Sequence, residues 1–257
     1  MDLGLKGRNA LVCASTSGLG EATARALAAE GANVVVSGRR AERARRIAAE
    51  LPGAVAVEAD LLAEDGADLL HAAAVEAVGP IDVLVLNGPG PKPGGAAEMS
   101  SADVRQAVES LVVPQQRLVS LVLPGMRTRG WGRILSIASS GVVAPLAHLA
   151  LSNLGRAALA GYLKTLAGEV AGDGVTVNLL LPGRIATDRL AQLDEATASR
   201  TGASREEIEE QGRASIPARR YGRPEEFGAV AAFLCGEPAS YVTGTALRCD
   251  GGDLRSL

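Results

Sequence analysis

Aromatic residues are scarce in this chain of 257 residues, where Phe, Trp and Tyr together make up 2%. Apolar residues nevertheless reach 47%, so the core has to be built from Ala, Val, Leu and Ile. A chain of this length buries enough surface for a stable core, in one large domain or in two small ones. The composition favours close packing of helices on a sheet.

The chain has a small net charge and no recognisable targeting signal. The net charge of −3 supplies no general electrostatic attraction for nucleic acid or an anionic membrane. The first residues lack the basic and apolar stretches of a signal peptide, and no segment reaches the ~18 uninterrupted apolar residues of a membrane helix. We therefore expect a cytoplasmic protein with no nucleic-acid partner and no membrane partner.

Cysteine is nearly absent, since the chain contains only Cys13, Cys235 and Cys249. These residues lie far apart in apolar runs, without the CxxC spacing of a redox or metal motif. We expect them to be small buried hydrophobic residues. The sequence predicts no metal site.

Short apolar runs alternate with longer Ala-rich helical patterns along the chain. The runs predict strands at residues 10–13, 33–36, 54–57, 83–86, 134–137, 176–180 and 246–249. The helical patterns cover residues 19–30, 41–50, 66–78, 101–127, 151–171 and 224–234. Apolar runs without alternation indicate strands that are covered on both faces. The order predicts an α/β fold: a single doubly wound Rossmann-type domain over residues 1–257, with a parallel sheet of about seven strands and helices on both faces.

One polar stretch, at residues 188–213, follows a Pro-Gly and shows no strong periodicity. A loop of that length in a compact domain is usually functional or mobile. We interpret it as a lid over a substrate site.

The first strand runs directly into the sequence ASTSGLGEATARAL at residues 14–27. Gly18 and Gly20, preceded by small residues, allow the backbone to pass close to a pyrophosphate, and the following helix points its N-terminal amides at that group. A Gly-x-Gly between the first strand and the first helix predicts dinucleotide binding.

The end of the second strand indicates which dinucleotide binds. NAD sites usually place an acidic side chain there for the ribose 2′-hydroxyl, whereas a 2′-phosphate requires a guanidinium. Here Arg39 and Arg40 follow the strand, and no carboxylate does. We therefore predict NADP(H), with the phosphate held chiefly by Arg39 and also by Arg40.

Six motifs occur in a characteristic order: ASTSGLG, AD at residues 59–60, VLVLNGPG, GRILSIASS, VTVNLLLPGRIATD and a tail that runs from RPEEFG to DGG. In these motifs, from about residue 5 to residue 252, the chain resembles the short-chain dehydrogenases/reductases, and in particular their 3-oxoacyl-acyl-carrier-protein reductase branch. The resemblance implies cofactor contacts by Ser15, Ser17, Gly18, Leu19, Gly20, Arg39, Arg40, Asp60, Leu61, Asn87, Gly88, Arg156, Pro182, Gly183, Ile185 and Thr187.

The resemblance also implies a catalytic tetrad of Asn, Ser, Tyr and Lys, of which this sequence keeps one member. Ser139 occupies the serine position, whereas Ser152 stands at the tyrosine position and Arg156 at the lysine position. The asparagine position falls on Ser110, whose hydroxyl can hold a water less well than an amide does. Arg156 can still grip the nicotinamide ribose, but a guanidinium stays protonated. Ser152 is a much poorer acid than a phenol.

The sequence leaves the proton donor open. His148 lies four residues before Ser152, so an early helix start would place it on one face with Ser152 and Arg156, and imidazole is a competent acid near neutral pH. Water held near Ser139 and Ser152, or the substrate itself, are the alternatives. General acid catalysis is worth ~10²–10⁴-fold, so hydride transfer without it is slowed and not abolished.

Two classes of function follow. The first is NADPH-dependent reduction of a small carbonyl substrate, a ketone or a 3-oxoacyl thioester, at an altered active site. The second is a nucleotide-bound protein without redox turnover, acting as a sensor, a structural partner or a non-redox enzyme. The retention of Ser139, Pro182, Gly183 and Thr187 favours the enzyme. The resemblance further implies a homo-oligomer, a tetramer or a dimer, that assembles through the long helices.

Overall fold

Seven parallel strands form one sheet in the order β3-β2-β1-β4-β5-β6-β7, which confirms the predicted sheet. The structure is a computed structural model that describes residues 1–256. Residue 257, the last of the predicted domain, lies outside the described residues. The strands are β1 (Asn9–Val12), β2 (Asn33–Gly38), β3 (Val55–Glu58), β4 (Val83–Leu86), β5 (Gly132–Ile137), β6 (Val175–Pro182) and β7 (Ala246–Cys249).

Helices cover both faces of this sheet. They are α1 (Gly18–Ala29), α2 (Ala41–Glu50), α3 (Gly66–Val78), α4 (Ser101–Leu111), α5 (Val113–Arg129), α6 (Ala150–Val170), α7 (Asp188–Thr201), α8 (Arg205–Ser215) and α9 (Pro224–Cys235). On one face α1 and α9 bury Leu27 and Phe227 against the strands. On the other face α5 and α6 bury Leu118 and Leu163. Because both faces are covered, a strand such as β4 is buried at every position. Within residues 1–256 the helices are too short or too polar to span a bilayer.

The strand order reverses between β1 and β4. From β1 the sheet continues through β2 and β3 on one side and through β4 to β7 on the other. The loops that follow β1 and β4 therefore diverge, and open α/β sheets bind ligands in the crevice formed at such a point. Asn87, directly after β4, links the two loops because its Nδ2 donates a hydrogen bond to the Ala14 carbonyl oxygen at 3.2 Å.

The prediction of one continuous helix over residues 101–127 is wrong, because the chain forms α4 and α5 with a break at Val112. Pro114 is the physical reason. Inside a continuous helix its ring would clash with the carbonyl group of Ser110, and it has no N–H to donate there. In the first turn of a new helix neither defect matters, so the chain starts α5 at this point.

The polar segment at residues 188–213 is helical, so the prediction of a loop is wrong. Helix α7 begins after Thr187, whose Oγ1 accepts a hydrogen bond from the Leu190 amide at 3.3 Å. Helix α8 begins with a capping box in which Ser204 and Glu207 bond to each other's backbone amides. These caps satisfy the first free amides of each helix, so a polar sequence with weak periodicity still folds into helices. The role of this segment as a lid stays a prediction.

Two of the three cysteine thiols are buried and are therefore poor nucleophiles. Cys13 and Cys235 are fully buried, and burial raises the pKa of each thiol to about 12. The prediction of buried cysteines is confirmed for these two, whereas Cys249 is half-buried. Across residues 1–256, the structure contains no group of three His, Cys, Asp or Glu side chains arranged to hold a metal ion.

Candidate functional site

A cleft of about 1150 Å³ opens at the carboxyl ends of the strands, where the strand order reverses. Helix α7 forms one of its walls. The predicted site residues that line the cleft are Ser17, Gly18, Leu19, Arg39, Arg40, Asp60, Leu61, Asn87, Gly88, Ser139, His148, Ser152, Arg156, Pro182, Gly183, Ile185 and Thr187. Ser15, Gly20 and Ser110 are not among the residues that line it.

The loop after β1 has the backbone geometry of a phosphate cradle. Gly18 has a φ of +57°, in the left-handed region that glycine adopts without strain. Ser17, at the N-cap of α1, makes no side-chain cap hydrogen bond. The first amides of α1 therefore remain available to an anion in the cleft.

Ser15 and Gly20 lie behind this loop and shape it, which corrects their assignment as cofactor contacts. The Ser15 Oγ donates to the Val12 carbonyl oxygen at 2.8 Å and accepts from the Ser37 amide at 2.9 Å. These bonds tie the loop to β2. A Cβ on Gly20 would lie 2.6 Å from the Ala14 carbonyl oxygen, so only glycine permits this close approach of helix and loop.

Ala14 adopts a φ of +46°, in the left-handed region that costs a non-glycine residue ~1–2 kcal/mol. We expect Ala14→Gly to raise the free energy of unfolding by ~0.5–1 kcal/mol, because the relieved strain exceeds the entropy that glycine adds to the unfolded chain. Urea titration measures the change. The matched control is Ala26→Gly, inside α1, which is expected to lose about 1 kcal/mol. An Ala14→Gly variant no more stable than the unmutated protein would mean that the loop holds no strain.

Arg39 and Arg40 have different surroundings. Nη2 of Arg40 donates to Ser17 Oγ at 2.7 Å and to Thr16 Oγ1 at 3.0 Å, so Arg40 clamps the loop after β1. Arg39 is exposed, lines the cleft, and makes no hydrogen bond or ion pair with another residue in the described part of the chain. An anion that enters this end of the cleft therefore meets Arg39 with its donors free.

The turns after β3 and β4 form the middle of the cleft. Oδ1 of Asp60 accepts a hydrogen bond from the Leu62 amide at 3.0 Å, which fixes the turn that presents Asp60 and Leu61. Asn87 and Gly88 follow β4 and lie on the other side of the strand-order reversal. Residues of both turns therefore line the same cleft.

The guanidinium of Arg156 lies against the end of β5. Nη1 donates to the carbonyl oxygens of Ile137 at 3.1 Å and Ala138 at 3.3 Å, and Nε donates to Ser152 Oγ at 3.3 Å. Burial lowers the pKa of Arg156 to about 10, with a further contribution from the positive charge of Arg189. The group therefore keeps its charge at neutral pH.

Ser139 follows directly after this strand end. Its Oγ accepts a hydrogen bond from the Gly141 amide at 3.1 Å, which fixes the side chain and leaves the hydroxyl proton free to be donated. Two serine hydroxyls and one guanidinium are thus collected at the carboxyl end of β5 and the start of α6. This set can donate hydrogen bonds to a carbonyl oxygen and to ribose hydroxyls.

Among the described residues that line the cleft there is neither a tyrosine nor a lysine. The tyrosines and lysines that lie elsewhere are Tyr162, Tyr221, Tyr241, Lys6, Lys92 and Lys164. The hydroxyl of Tyr221 is engaged, since it donates to Oδ2 of Asp194 at 3.1 Å. The described residues of this lining therefore offer no phenol hydroxyl.

The structure corrects the predictions for His148 and Ser110. Helix α6 begins at Ala150, and His148 has a φ of +59°, so it does not share a helical face with Ser152 and Arg156. It lines the cleft from the segment that precedes the helix. The Ser110 Oγ donates to the Gln106 carbonyl oxygen at 2.7 Å, within its own helix, and lies outside the cleft lining. Ser110 is therefore not among the described residues of this site.

Comparison with known proteins identifies the family. The family model described as enoyl-(acyl carrier protein) reductase matches residues 13–253. The 3-oxoacyl-[acyl-carrier-protein] reductase FabG of Aquifex aeolicus (strain VF5) is 34% identical over 98% of this chain and 99% of its own. Dehydrogenase/reductase SDR family member 4 of Bos taurus is 35% identical over 98% of this chain and 89% of its own. The chain belongs to the short-chain dehydrogenase/reductase family. The crystal structure of L-sorbose reductase from Gluconobacter frateurii, complexed with NADPH and L-sorbose, matches 100% of both chains with a TM-score of 0.92 and 32% identity.

In this member of the short-chain dehydrogenase/reductase family, the sequence did not predict a polar cluster of Arg184, Asp194 and Tyr221 at α7. Nη1 of Arg184 pairs with Oδ1 of the buried Asp194 at 3.0 Å, and Tyr221 donates to the other carboxylate oxygen. The cluster ties α7 to the loop after β6 and to the segment before α9. No local signal reveals it, because its members lie 10 and 27 residues apart in sequence.

Proposed function

We propose that this protein is an NADPH-dependent oxidoreductase that reduces a carbonyl group at an altered active site. The observation that carries the proposal is the contact of Arg156 with Ser152 Oγ and with the Ala138 carbonyl oxygen, the residue before Ser139. Ser139, Ser152 and Arg156 stand at the serine, tyrosine and lysine positions of the reductase motifs, and all three line the cleft. Reductases of this family named above supply the reaction class.

The cofactor is NADP(H), which the named L-sorbose reductase holds as NADPH. Two observations on this chain support it: the Gly18 turn at the N-terminus of α1 fits a pyrophosphate, and Arg39 has free donors for a 2′-phosphate. Asp60, Asn87 and Thr187 also line the cleft. When bound, the nicotinamide supplies the hydride, and the residues of this chain bind and orient.

Arg156 holds the nicotinamide ribose. Its Nε and Nη1 are committed to Ser152 and to the end of β5, whereas Nη2 makes no hydrogen bond within residues 1–256. The planar fork can donate to neighbouring ribose hydroxyls. Because the guanidinium keeps its proton, Arg156 binds the cofactor without transferring a proton.

Ser139 and Ser152 orient the carbonyl oxygen and a water. Ser139 keeps its proton free because its Oγ already accepts from the Gly141 amide, and Ser152 does so because its Oγ accepts from Arg156. Both hydroxyls can therefore donate to an oxygen that develops negative charge. Water near these two serines then protonates the alkoxide, and His148 and the substrate itself are the alternative donors.

His148→Asn is expected to change kcat/KM by less than about threefold, because the structure removes His148 from the helical face of Ser152 and Arg156. Asparagine is chosen because it tolerates the φ of +59° at this position. Steady-state kinetics across a pH series measure the effect. A loss of ~10²-fold would instead make His148 the acid.

A nucleotide-bound protein without redox turnover is the second candidate function. The described cleft lining favours it in one respect, since it contains no phenol and no ammonium group. The same cofactor contacts serve both functions. A measurement of cofactor binding therefore does not distinguish the two functions, whereas a measurement of carbonyl reduction does.

The assembly is proposed to be a cytoplasmic homotetramer or homodimer. Ala157, Ala158 and Gly161 on α6 are exposed in the single chain, and small residues permit close approach of a helix from a second copy. Light scattering at micromolar concentration measures the mass. A monomer under these conditions would contradict the proposal.

A further inference from the structure

Arg156 and Arg189, and also Arg200 further along α7, line the cleft without a carboxylate partner in the described part of the chain. Arg156 donates only to backbone carbonyl oxygens and to Ser152. Arg189, in the first turn of α7, donates from Nη2 to the Pro91 carbonyl oxygen at 3.3 Å. Arg184, which lines the same cleft, is by contrast paired with Asp194.

Arg189 is held in place by the loop that follows β4. A Cβ on Gly90 would lie 3.1 Å from Nη2 of Arg189, so the guanidinium rests directly on the backbone of this glycine. The side chain thus reaches from α7 across to the β4 loop, and Arg189, Ser139 and Ser152 line the same cleft. The Gly90 backbone and the Pro91 carbonyl oxygen therefore position the Arg189 side chain, which forms no ion pair within residues 1–256.

The placement of the charges of Arg156 and Arg189 is unfavourable in the free protein. A cation in the first turn of a helix opposes the helix dipole, and Arg189 has that position in α7. The two guanidinium groups also repel each other, since the charge of Arg189 helps to lower the pKa of Arg156. Asp188 is adjacent in sequence but forms no ion pair with Arg189 within residues 1–256. A bound anion would relieve both the unfavourable interaction with the helix dipole and the repulsion between the two guanidinium groups.

We infer that Arg189, supported by the charge of Arg156, binds a carboxylate of the substrate, so that the substrate is an oxo acid. This inference rests on the proposed reductase function. Arg189 contacts the carboxylate, while Ser139 and Ser152 donate to the oxo group. The carbonyl carbon would gain a hydride from NADPH and its oxygen a proton from water, which yields a hydroxy acid, NADP⁺ and a hydroxide ion that a solvent proton neutralises.

The diphosphate of the cofactor is the other anion that Arg189 could meet. Thr187, two residues before Arg189, lies beside the diphosphate cradle, since a Cβ on Gly18 would lie 3.6 Å from Thr187 Cγ2. The Arg189 guanidinium itself, however, rests on the β4 loop at Gly90 and Pro91. The charge of Arg189 acts on Arg156, whose Nε donates to Ser152 Oγ at 3.3 Å. The substrate carboxylate is therefore the better match.

The test measures binding without turnover. Full-length protein saturated with NADP⁺ is titrated by calorimetry with 2-oxohexanoate, 3-oxohexanoate and the methyl ester of each. At least one acid is expected to bind about tenfold or more tightly than its ester, as a charge-assisted contact requires. Arg189→Gln is expected to reduce this ratio to within about twofold, whereas Arg189→Lys retains part of it.

The matched control is Arg205→Gln, which removes an arginine of α8 that pairs with Glu209 outside the cleft and leaves the ratio unchanged. Affinity for NADPH is expected to be the same in Arg189→Gln and in the unmutated protein. Equal binding of acid and ester in both pairs, or a preference that survives in Arg189→Gln, would overturn the inference. So would an Arg189→Gln variant that loses affinity for NADPH while its preference for the acid is intact.

The outcome separates this inference from the proposed function. Tight binding of an acid through Arg189, with no reduction when NADPH is supplied, would support the carboxylate site and overturn the reductase. Reduction of neutral ketones with no preference for acids would support the reductase and overturn the carboxylate site.

Discussion

Replacement of Ser152 by tyrosine together with Arg156 by lysine is expected to raise the rate of carbonyl reduction by ~10²–10⁴-fold, the usual contribution of a general acid. The two positions lie one turn apart on α6 and their side chains are already in contact. A phenol at position 152 would reach further into the cleft than the serine hydroxyl and would be a far better acid. The consumption of NADPH with a panel of ketones, oxo acids and 3-oxoacyl thioesters measures the rate.

The matched control is Ser152→Phe combined with Arg156→Lys, which adds the same ring without its hydroxyl. It is expected to remain at or below the rate of the unmutated protein, so that a gain in the tyrosine variant is assigned to the proton and not to packing. A tyrosine variant that binds NADPH normally yet reduces no member of the panel would remove the main support for the reductase. The function without redox turnover would then be the better account of this cleft.

Arg39→Ala is expected to remove most of the preference for NADPH over NADH. A charge-assisted contact with the 2′-phosphate is worth ~1.5–3 kcal/mol, and Arg39 lines the cleft with no competing partner in residues 1–256. NADH carries no 2′-phosphate, so its affinity stays unchanged. Titration of each cofactor by nicotinamide fluorescence measures both affinities.

Two further variants test whether the preference for NADPH over NADH depends on Arg39. Arg46→Ala, on the exposed side of α2 and outside the cleft, is the control and keeps the preference. Arg40→Ala is expected to weaken both cofactors together, because Arg40 holds the loop after β1 through Thr16 and Ser17. Equal affinity of the unmutated protein for NADPH and NADH would contradict the assignment of Arg39.

The strands could be predicted closely because the pattern that marks them is local. β4 and β7 have the predicted bounds, and the other strands differ from the prediction by a few residues at their ends. An apolar run buried on both faces needs no knowledge of its partners to be recognised. The helices α2 and α3 also begin and end as predicted. Most predicted site residues line one cleft because the motifs that contain them follow strands whose carboxyl ends share one edge of the sheet.

The wrong or missed predictions concern features that do not show in the hydrophobic pattern of the sequence. The break before Pro114 depends on a clash with one particular carbonyl group, and α7 depends on the cap at Thr187. The placement of His148 depends on a helix start only two residues away. Arg189 escaped notice because its contact with the β4 loop joins residues 98 apart in sequence.

The most direct test of the reductase follows the hydrogen itself. Protein is incubated with NADPH that carries deuterium at both C4 positions, together with the panel of ketones, oxo acids and 3-oxoacyl thioesters, and the products are analysed by mass spectrometry. We expect one deuterium on the carbinol carbon of at least one alcohol product, and its loss when the cofactor is unlabelled. Tight binding of NADPH with no deuterium in any product would contradict hydride transfer in this cleft.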